Sequence, residues 1–372
     1  MATNTKTSEN IEIVIEPALL APFGAIWGGE ISQISPLAAE DAKASAADIK
    51  NLSKAGVCTT TGEIIPEMEE MVRTLAEADS FGQFEIIRPN ITIQLTTYRK
   101  GDGEYALIIN EDGNLRISYP IGSDIVAGFV SEYTGRSALG GCEFEAVMTW
   151  KEACAFSALI DLQRRSYLRS IAEELEPVPL SFEETEILSA LGTKGKYQWL
   201  ASIICDLHEE KPFVDEKELA VALKSIASKG FVEQKGNKWN LSMDSALLAR
   251  QMLITEQIVS VNAGKMYNPD ELSSAAFGCL QSGIHGVLMI DPKGDSITFS
   301  SLSPAELVAY IAYLLDFGAP QAEFDRSVDT TDEPEIEIED SNSVADSSKF
   351  CSECGTKVQG DSKFCDNCGT KL

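Results

Sequence analysis

The chain has 372 residues, 44% of them hydrophobic and 24% charged, with 58 Asp and Glu against 30 Lys and Arg. That length accommodates two or three domains, and that apolar fraction belongs to a globular protein rather than a disordered one. A net charge of −28 argues against coating a nucleic acid, whose phosphates attract clustered Lys and Arg, and favours solubility and basic partners.

From the N-terminus, MATNTKTSENIEIVIE shows neither a basic n-region nor a leading apolar stretch, so no secretory signal is expected. The longest apolar run, Ala18 to Gly29, carries Pro22 and falls short of the roughly 18 residues a membrane span needs. A short strand at Ile11 to Glu16 leads into a helix. A second helix stops at Gly56, where glycine ends a helix without strain. Strands on either side of Asp112-Gly113 and a closing amphipathic helix complete a first unit. Residues 142 to 176 read as a strand followed by a long helix from about Trp150 to Leu175.

The plan then repeats. Ile49-Lys-Asn-Leu-Ser-Lys-Ala-Gly-Val57 aligns with Leu223-Lys-Ser-Ile-Ala-Ser-Lys-Gly-Phe231, and Gly62 falls on Gly236. Ala106 to Gly113 matches Val287 to Gly294, Ile125 to Ala127 matches Leu307 to Ala309, and Leu19 to Gly24 corresponds to Ile187 to Gly192. The segments keep their order, which predicts an internal duplication. The second copy opens on a strand at Val178 to Phe182. Leu219, Leu223 and Ile226 give its helix an apolar stripe, and Phe231 to Leu241 reads as a hairpin through Gly236, the pattern of a winged helix. Ser303-Pro304 with Glu306 marks the start of its last helix.

Residues 321 to 348 form an acidic linker, where ten acids against one Arg give −9; its composition predicts disorder. As a flexible chain it would span roughly 25 to 32 Å. The tail beyond it, KFCSECGTKVQGDSKFCDNCGTKL, is one knuckle written twice. Cys351 and Cys354 form one CxxC, Cys365 and Cys368 a second, and each is followed by Gly-Thr-Lys. Four thiolates satisfy a tetrahedral zinc and leave no open position for water, so the expected metal is one structural zinc held by Cys351, Cys354, Cys365 and Cys368. Two disulfides, or cysteines with no shared role, are the alternative. The tail resembles the zinc ribbons attached to many bacterial and archaeal proteins. It is too short to bury a core, so the metal is expected to supply its folding energy. The other cysteines, Cys58, Cys142, Cys154, Cys205 and Cys279, are scattered in apolar stretches, as buried thiols are, which points to a reducing cytosol.

The order from the first strand through Lys54-Ala-Gly56, Ile65-Pro-Glu67, Met71-Val-Arg-Thr-Leu-Ala76 and Tyr105 to Ile117 resembles the EspG-type chaperones of type VII secretion. The resemblance covers roughly residues 10 to 318 and rests on apolar and turn positions. It implies a pseudo-symmetric α+β body that holds protein partners in the cytosol. It carries over no partner-contacting residue, and the acidic linker and ribbon depart from that family.

Catalytic signals are weak. The chain has two histidines, His208 and His285, and no G-x-G-x-x-G after a strand, phosphate loop, H-E-x-x-H or G-x-S-x-G. Cys205 and His208 could share a helix face, but a nucleophile and base also need an orienting group; a core thiol and a helix end are expected there. For DNA, the helices at Asp215 to Gly230 and Glu40 to Gly56 each carry three acids and three lysines. The wing at Cys58 to Glu67 has two acids and no base, while the second sets Lys235 and Lys238 against Glu233. Arg164, Arg165 and Arg169 form a small basic group on the connecting helix, expected to be solvated or paired with Glu173.

The expected fold class is α+β: an internally duplicated pseudo-twofold body with winged-helix-like and β-β-α units, plus a zinc ribbon. Its parts are a first copy at 11–140, a connecting strand and helix at 141–177, a second copy at 178–320 (winged-helix-like at 181–250), the linker and the ribbon at 349–372. The expected function is non-enzymatic binding of a protein partner in the cytoplasm. The alternative is a transcription-associated regulator using its winged helices on DNA.

Overall fold

Ten strands make one sheet, and every neighbouring pair in it is antiparallel. This computed structural model describes residues 10–111, 113–174, 180–192, 199–208, 211–213, 215–268, 271–283, 286–315 and two short strands near the C-terminus. The chain divides into two units, Met1–Pro320 and Gln321–Leu372.

The first part of the larger unit runs β1 (Ile11–Ile15), α1 (Leu20–Trp27), α2 (Ala46–Lys54), α3 (Glu69–Ala76), β2 (Ser80–Arg88), β3 (Ile91–Arg99), β4 (Tyr105–Glu111), β5 (Asn114–Ile121) and α4 (Ser123–Thr134). The second runs β6 (Glu145–Thr149), α5 (Trp150–Ala172), α6 (Glu184–Leu191), α7 (Leu200–Cys205), α8 (Glu216–Ser228), β7 (Val232–Lys235), β8 (Lys238–Leu241), α9 (Met243–Gln251), β9 (Gln257–Asn268), β10 (Glu271–Ser282), β11 (Gly286–Lys293), β12 (Ser296–Leu302) and α10 (Pro304–Leu315). The sheet order is β1-β5-β4-β3-β2-β9-β10-β11-β12-β6, so each part fills one half and β2 meets β9 at the seam. The two parts, mixing helix and sheet, make an α+β fold.

Local chemistry sets the element ends. Ser45 and Asp48 form a capping box on α2, and Thr149 and Glu152 do the same on α5. Ser303 accepts from the Glu306 N–H while Glu306 accepts from the Ser303 N–H, and Pro304 opens α10. Gly56 and Gly230, at φ 80° and 85°, follow the ends of α2 and α8 in the left-handed region that glycine enters freely. Gly113 and Gly294 turn the β4–β5 and β11–β12 hairpins.

Burial sorts the helices between the two faces of the sheet. One face packs Phe84, Ile86, Val259, Val261 and Phe277 against Leu307 and Ile311 of α10 and Val126 and Val130 of α4. On the other face, α1 to α3 bury Phe23, Leu52 and Leu75 against Ile13, Ile108 and Ile117. On that same face α5 to α9 bury Phe156, Ile226 and Trp239 with Met148, Leu288 and Phe299. Within this second group α8 and the β7–β8 hairpin are adjacent, and an isolated bridge joins Phe182 to Trp239. Of the strand expected at 178 to 182, residues 178 and 179 lie outside the described residues; the edge position opposite β1 is held by β6. The acidic linker also lies outside them. In the smaller unit, β13 (Lys349–Phe350) pairs antiparallel with β14 (Lys357–Val358).

Candidate functional site

Along β2, side chains alternate between faces, as any strand requires. Phe84 and Ile86 enter the core under α4 and α10, which turns Gln83 and Glu85 to the opposite face. The register sets Thr96, Gln83, Asn262 and Ala276 in one row across β3, β2, β9 and β10, and Gln94, Glu85, Ser260 and Gly278 in the next. This is where the two helical groups leave the sheet uncovered. Gln94 donates to the Glu85 carboxylate at 2.8 Å and Asn262 to the Gln83 amide oxygen at 3.2 Å, so these polar side chains bond in pairs across strands. Six of these side chains line a shallow cleft of about 300 Å³. Phe81 closes one end by lying over Gly264, its cross-strand partner, where a β-carbon would sit 2.7 Å from the ring. The floor is a polar surface with a single carboxylate and no His, Cys or Lys.

The basic residues on α5 differ in depth: Arg164 is interior, Arg165 half-buried and Arg169 exposed. Arg164 is 2% exposed and Asp161 1%, and the two pair at 2.8 Å. The Asp161 carboxylate also accepts the Leu200 N–H at 3.1 Å and the Ala201 N–H at 2.8 Å, capping the start of α7. Arg164 reaches the Thr255 hydroxyl at 3.2 Å. Burial pushes the Asp161 carboxyl up, a push opposed by Arg164 and the two backbone N–H groups. Arg165 stacks over Trp199, its guanidinium carbon 4.4 Å from the ring centroid, and Arg169 pairs with Glu173 at 2.9 Å as expected. The Arg164–Asp161 pair is structural because α5 is the hub on which α6 to α9 assemble.

The wing lysines are paired. Lys235 lies 3.4 Å from Glu233 and Lys238 3.5 Å from Glu183. Lys229, at the end of α8, bonds Glu152 at 2.7 Å and the Val147 carbonyl at 3.2 Å. Each cation that could meet a phosphate on this hairpin therefore already faces a carboxylate.

Cys205 and His208 go separate ways. The Cys205 sulfur lies 3.8 Å from that of Cys154, while the His208 ring packs on Trp150 with centroids 4.3 Å apart. Nothing joins the thiol to the imidazole as nucleophile and base, and His285 lies outside the described residues. Among the described residues no cluster of His, Cys, Asp or Glu could hold a metal, and no helix is long and apolar enough to cross a membrane. Cys351, Cys354, Cys365 and Cys368 lie outside them. The β13–β14 pair sets Lys349 opposite Val358, side by side at the ends of the stretch whose sequence holds the first CxxC.

A family model described as a zinc-ribbon domain matches residues 346–372. Among solved structures, the type VII secretion system chaperone EspG5 of Mycobacterium tuberculosis, in complex with a PE25–PPE41 dimer, is similar at 8% identity and a TM-score of 0.46. That match covers 82% of this chain and 96% of the other. No curated protein matches.

Proposed function

We propose that this chain is a non-enzymatic, cytosolic protein-binding protein, chaperone-like or adaptor-like, whose partner lies on the open floor of the ten-stranded sheet. The observation that carries the reading is the pair of polar rows at the seam, Thr96-Gln83-Asn262-Ala276 and Gln94-Glu85-Ser260-Gly278. Four strands at about 4.8 Å spacing make a floor roughly 14 Å wide, enough for one helix about 10 to 12 Å across. Beyond Phe81, the paired stretch of β2 and β9 from Gly82 to Ile87 runs about 20 Å at 3.3 Å per residue, or nearly four helical turns. Polar side chains that bond each other across strands can exchange those bonds for a partner's polar groups at little cost. No side chain of the floor is a ready nucleophile.

The ribbon's four thiolates suit one structural zinc at Cys351, Cys354, Cys365 and Cys368, with the sphere closed to chemistry. The sheet order and the matching glycine turns support two copies of one ancestral unit. A type VII secretion substrate is one candidate partner class, since the ordered segments from Lys54 to Ile117 follow the EspG-type layout. The regulator alternative needs free cations on the wing, and Lys235 and Lys238 each face a glutamate.

The test is affinity isolation from native cytosol with three baits. The wild type and a Lys235→Glu, Lys238→Glu double variant should retain the same protein, and Asn262→Arg should lose it. Retention by Asn262→Arg with loss from the wing variant would transfer the site to the hairpin and refute the proposal.

A further inference from the structure

Two thiols meet between α5 and α7, and neither the fold nor the proposed site uses their chemistry. Cys154 is fully buried on the first turns of α5, and Cys205, the last residue of α7, is partly exposed. Their sulfurs are 3.8 Å apart. Both ends of α7 are tied to α5: Asp161 caps its start through the Leu200 and Ala201 N–H groups, and the Trp150 indole donates to the Ile204 carbonyl at 3.0 Å. The pair is thus held in place rather than brought together by chance motion.

We infer that Cys154 and Cys205 are a dithiol modification site, closing to an intramolecular disulfide when the protein meets a low-molecular-weight disulfide. A disulfide needs its sulfurs about 2.05 Å apart, so closure asks for an approach of roughly 1.8 Å. That is a small shift for a one-and-a-half-turn helix against its neighbour. The order of attack follows from access. The Cys205 thiolate attacks one sulfur of the oxidant, forming a mixed disulfide and expelling one thiolate, which takes up the proton Cys205 released. Cys154, sealed from solvent, then attacks the Cys205 sulfur, expels the second thiolate and gives it its proton. Two protein thiols lose two electrons and two protons, and one small disulfide becomes two thiols. The bond fixes α7 to the hub helix beside the Asp161 cap. Cys58, Cys142 and Cys279 sit elsewhere in the fold, on three other segments.

The probe is glutathione disulfide added to the full-length, zinc-loaded protein, read by peptide mapping without reduction. The expected product is a single Cys154–Cys205 crosslink that excess thiol reverses. Cys205→Ser should give no crosslink and no adduct at Cys154. Cys154→Ala, which keeps a small apolar side chain in the core, should stop at a stable glutathione adduct on Cys205. A wild-type protein that keeps the Cys205 adduct without closing, or whose Cys154 reacts equally well in Cys205→Ser, would overturn the inference. So would a wild-type protein in which neither sulfur reacts.

Discussion

Replacing Arg164 with Ala strands a carboxylate in the interior. Asp161 is 1% exposed, and the substitution removes its 2.8 Å ion pair together with the bond to Thr255 and the stacking of the guanidinium on Trp199. Breaking a buried pair by deleting one partner costs about 3 to 5 kcal/mol. The two backbone N–H groups of α7 still serve Asp161, which puts the expectation at the lower end, about 3 kcal/mol. The pH dependence is a sharper test. Burial already raises the Asp161 carboxyl, and loss of Arg164 removes the first of the influences opposing that rise. A carboxyl whose folded pKa exceeds its unfolded value of about 3.9 favours the folded state only when protonated. Its contribution is fully present below the unfolded value and lost as pH rises through the folded one. The deficit of Arg164→Ala should therefore be smallest in mild acid and grow toward neutral pH. Urea unfolding followed by tryptophan fluorescence reads it, since Trp150, Trp199 and Trp239 all lie in the helical group around α5. A deficit that stays under about 1 kcal/mol at neutral pH, or one that does not change with pH, would refute the buried-pair argument.

Zinc should be present at one ion per chain, and Ser at any of Cys351, Cys354, Cys365 or Cys368 should abolish it without changing the thermal midpoint of residues 1–320; elemental analysis and calorimetry measure the two. Gly56→Ala and Gly230→Ala should each cost about 1 to 2 kcal/mol, because a β-carbon meets nothing within 4 Å at either position and only the positive φ is strained; denaturation of both variants should return similar losses. Burial would raise the Glu152 pKa, but hydrogen bonds from Lys229, Ser225 and the Thr149 N–H hold it below its ordinary value. Its support is present above the unfolded pKa and fades as pH falls through the folded one, so Glu152→Gln should cost about 2 kcal/mol near neutrality and little in strong acid.

What could be read from the residues was mostly punctuation. Ser303-Pro304 with Glu306, the glycine stops at Gly56 and Gly230 and the strand before Trp150 all appear where local chemistry puts them, because a cap or a turn is decided within a few residues. The hairpin through Gly236 is likewise local. Helical spacing alone groups Arg164 with the solvated Arg169, because it cannot reveal that α5 is covered by four other helices. The sheet floor leaves a signal in the sequence: Gln83 and Glu85 alternate with Phe84 and Ile86, and Ser260 and Asn262 with Val259 and Val261. Period-two alternation marks a strand with one wet face. That the wet faces of β2 and β9 lie side by side depends on a pairing between residues far apart in the chain, which no local pattern encodes.

Site-specific photocrosslinking separates the sheet floor from the wing as the surface that meets a partner. A photoreactive side chain at position 262, in the floor, and another at 235, on the wing, would be activated in native cytosol at physiological salt. Position 262 should yield a discrete protein adduct, competed by excess wild-type protein, with no nucleic acid adduct from either position. Duplex DNA crosslinked at position 235, with position 262 silent, would contradict it.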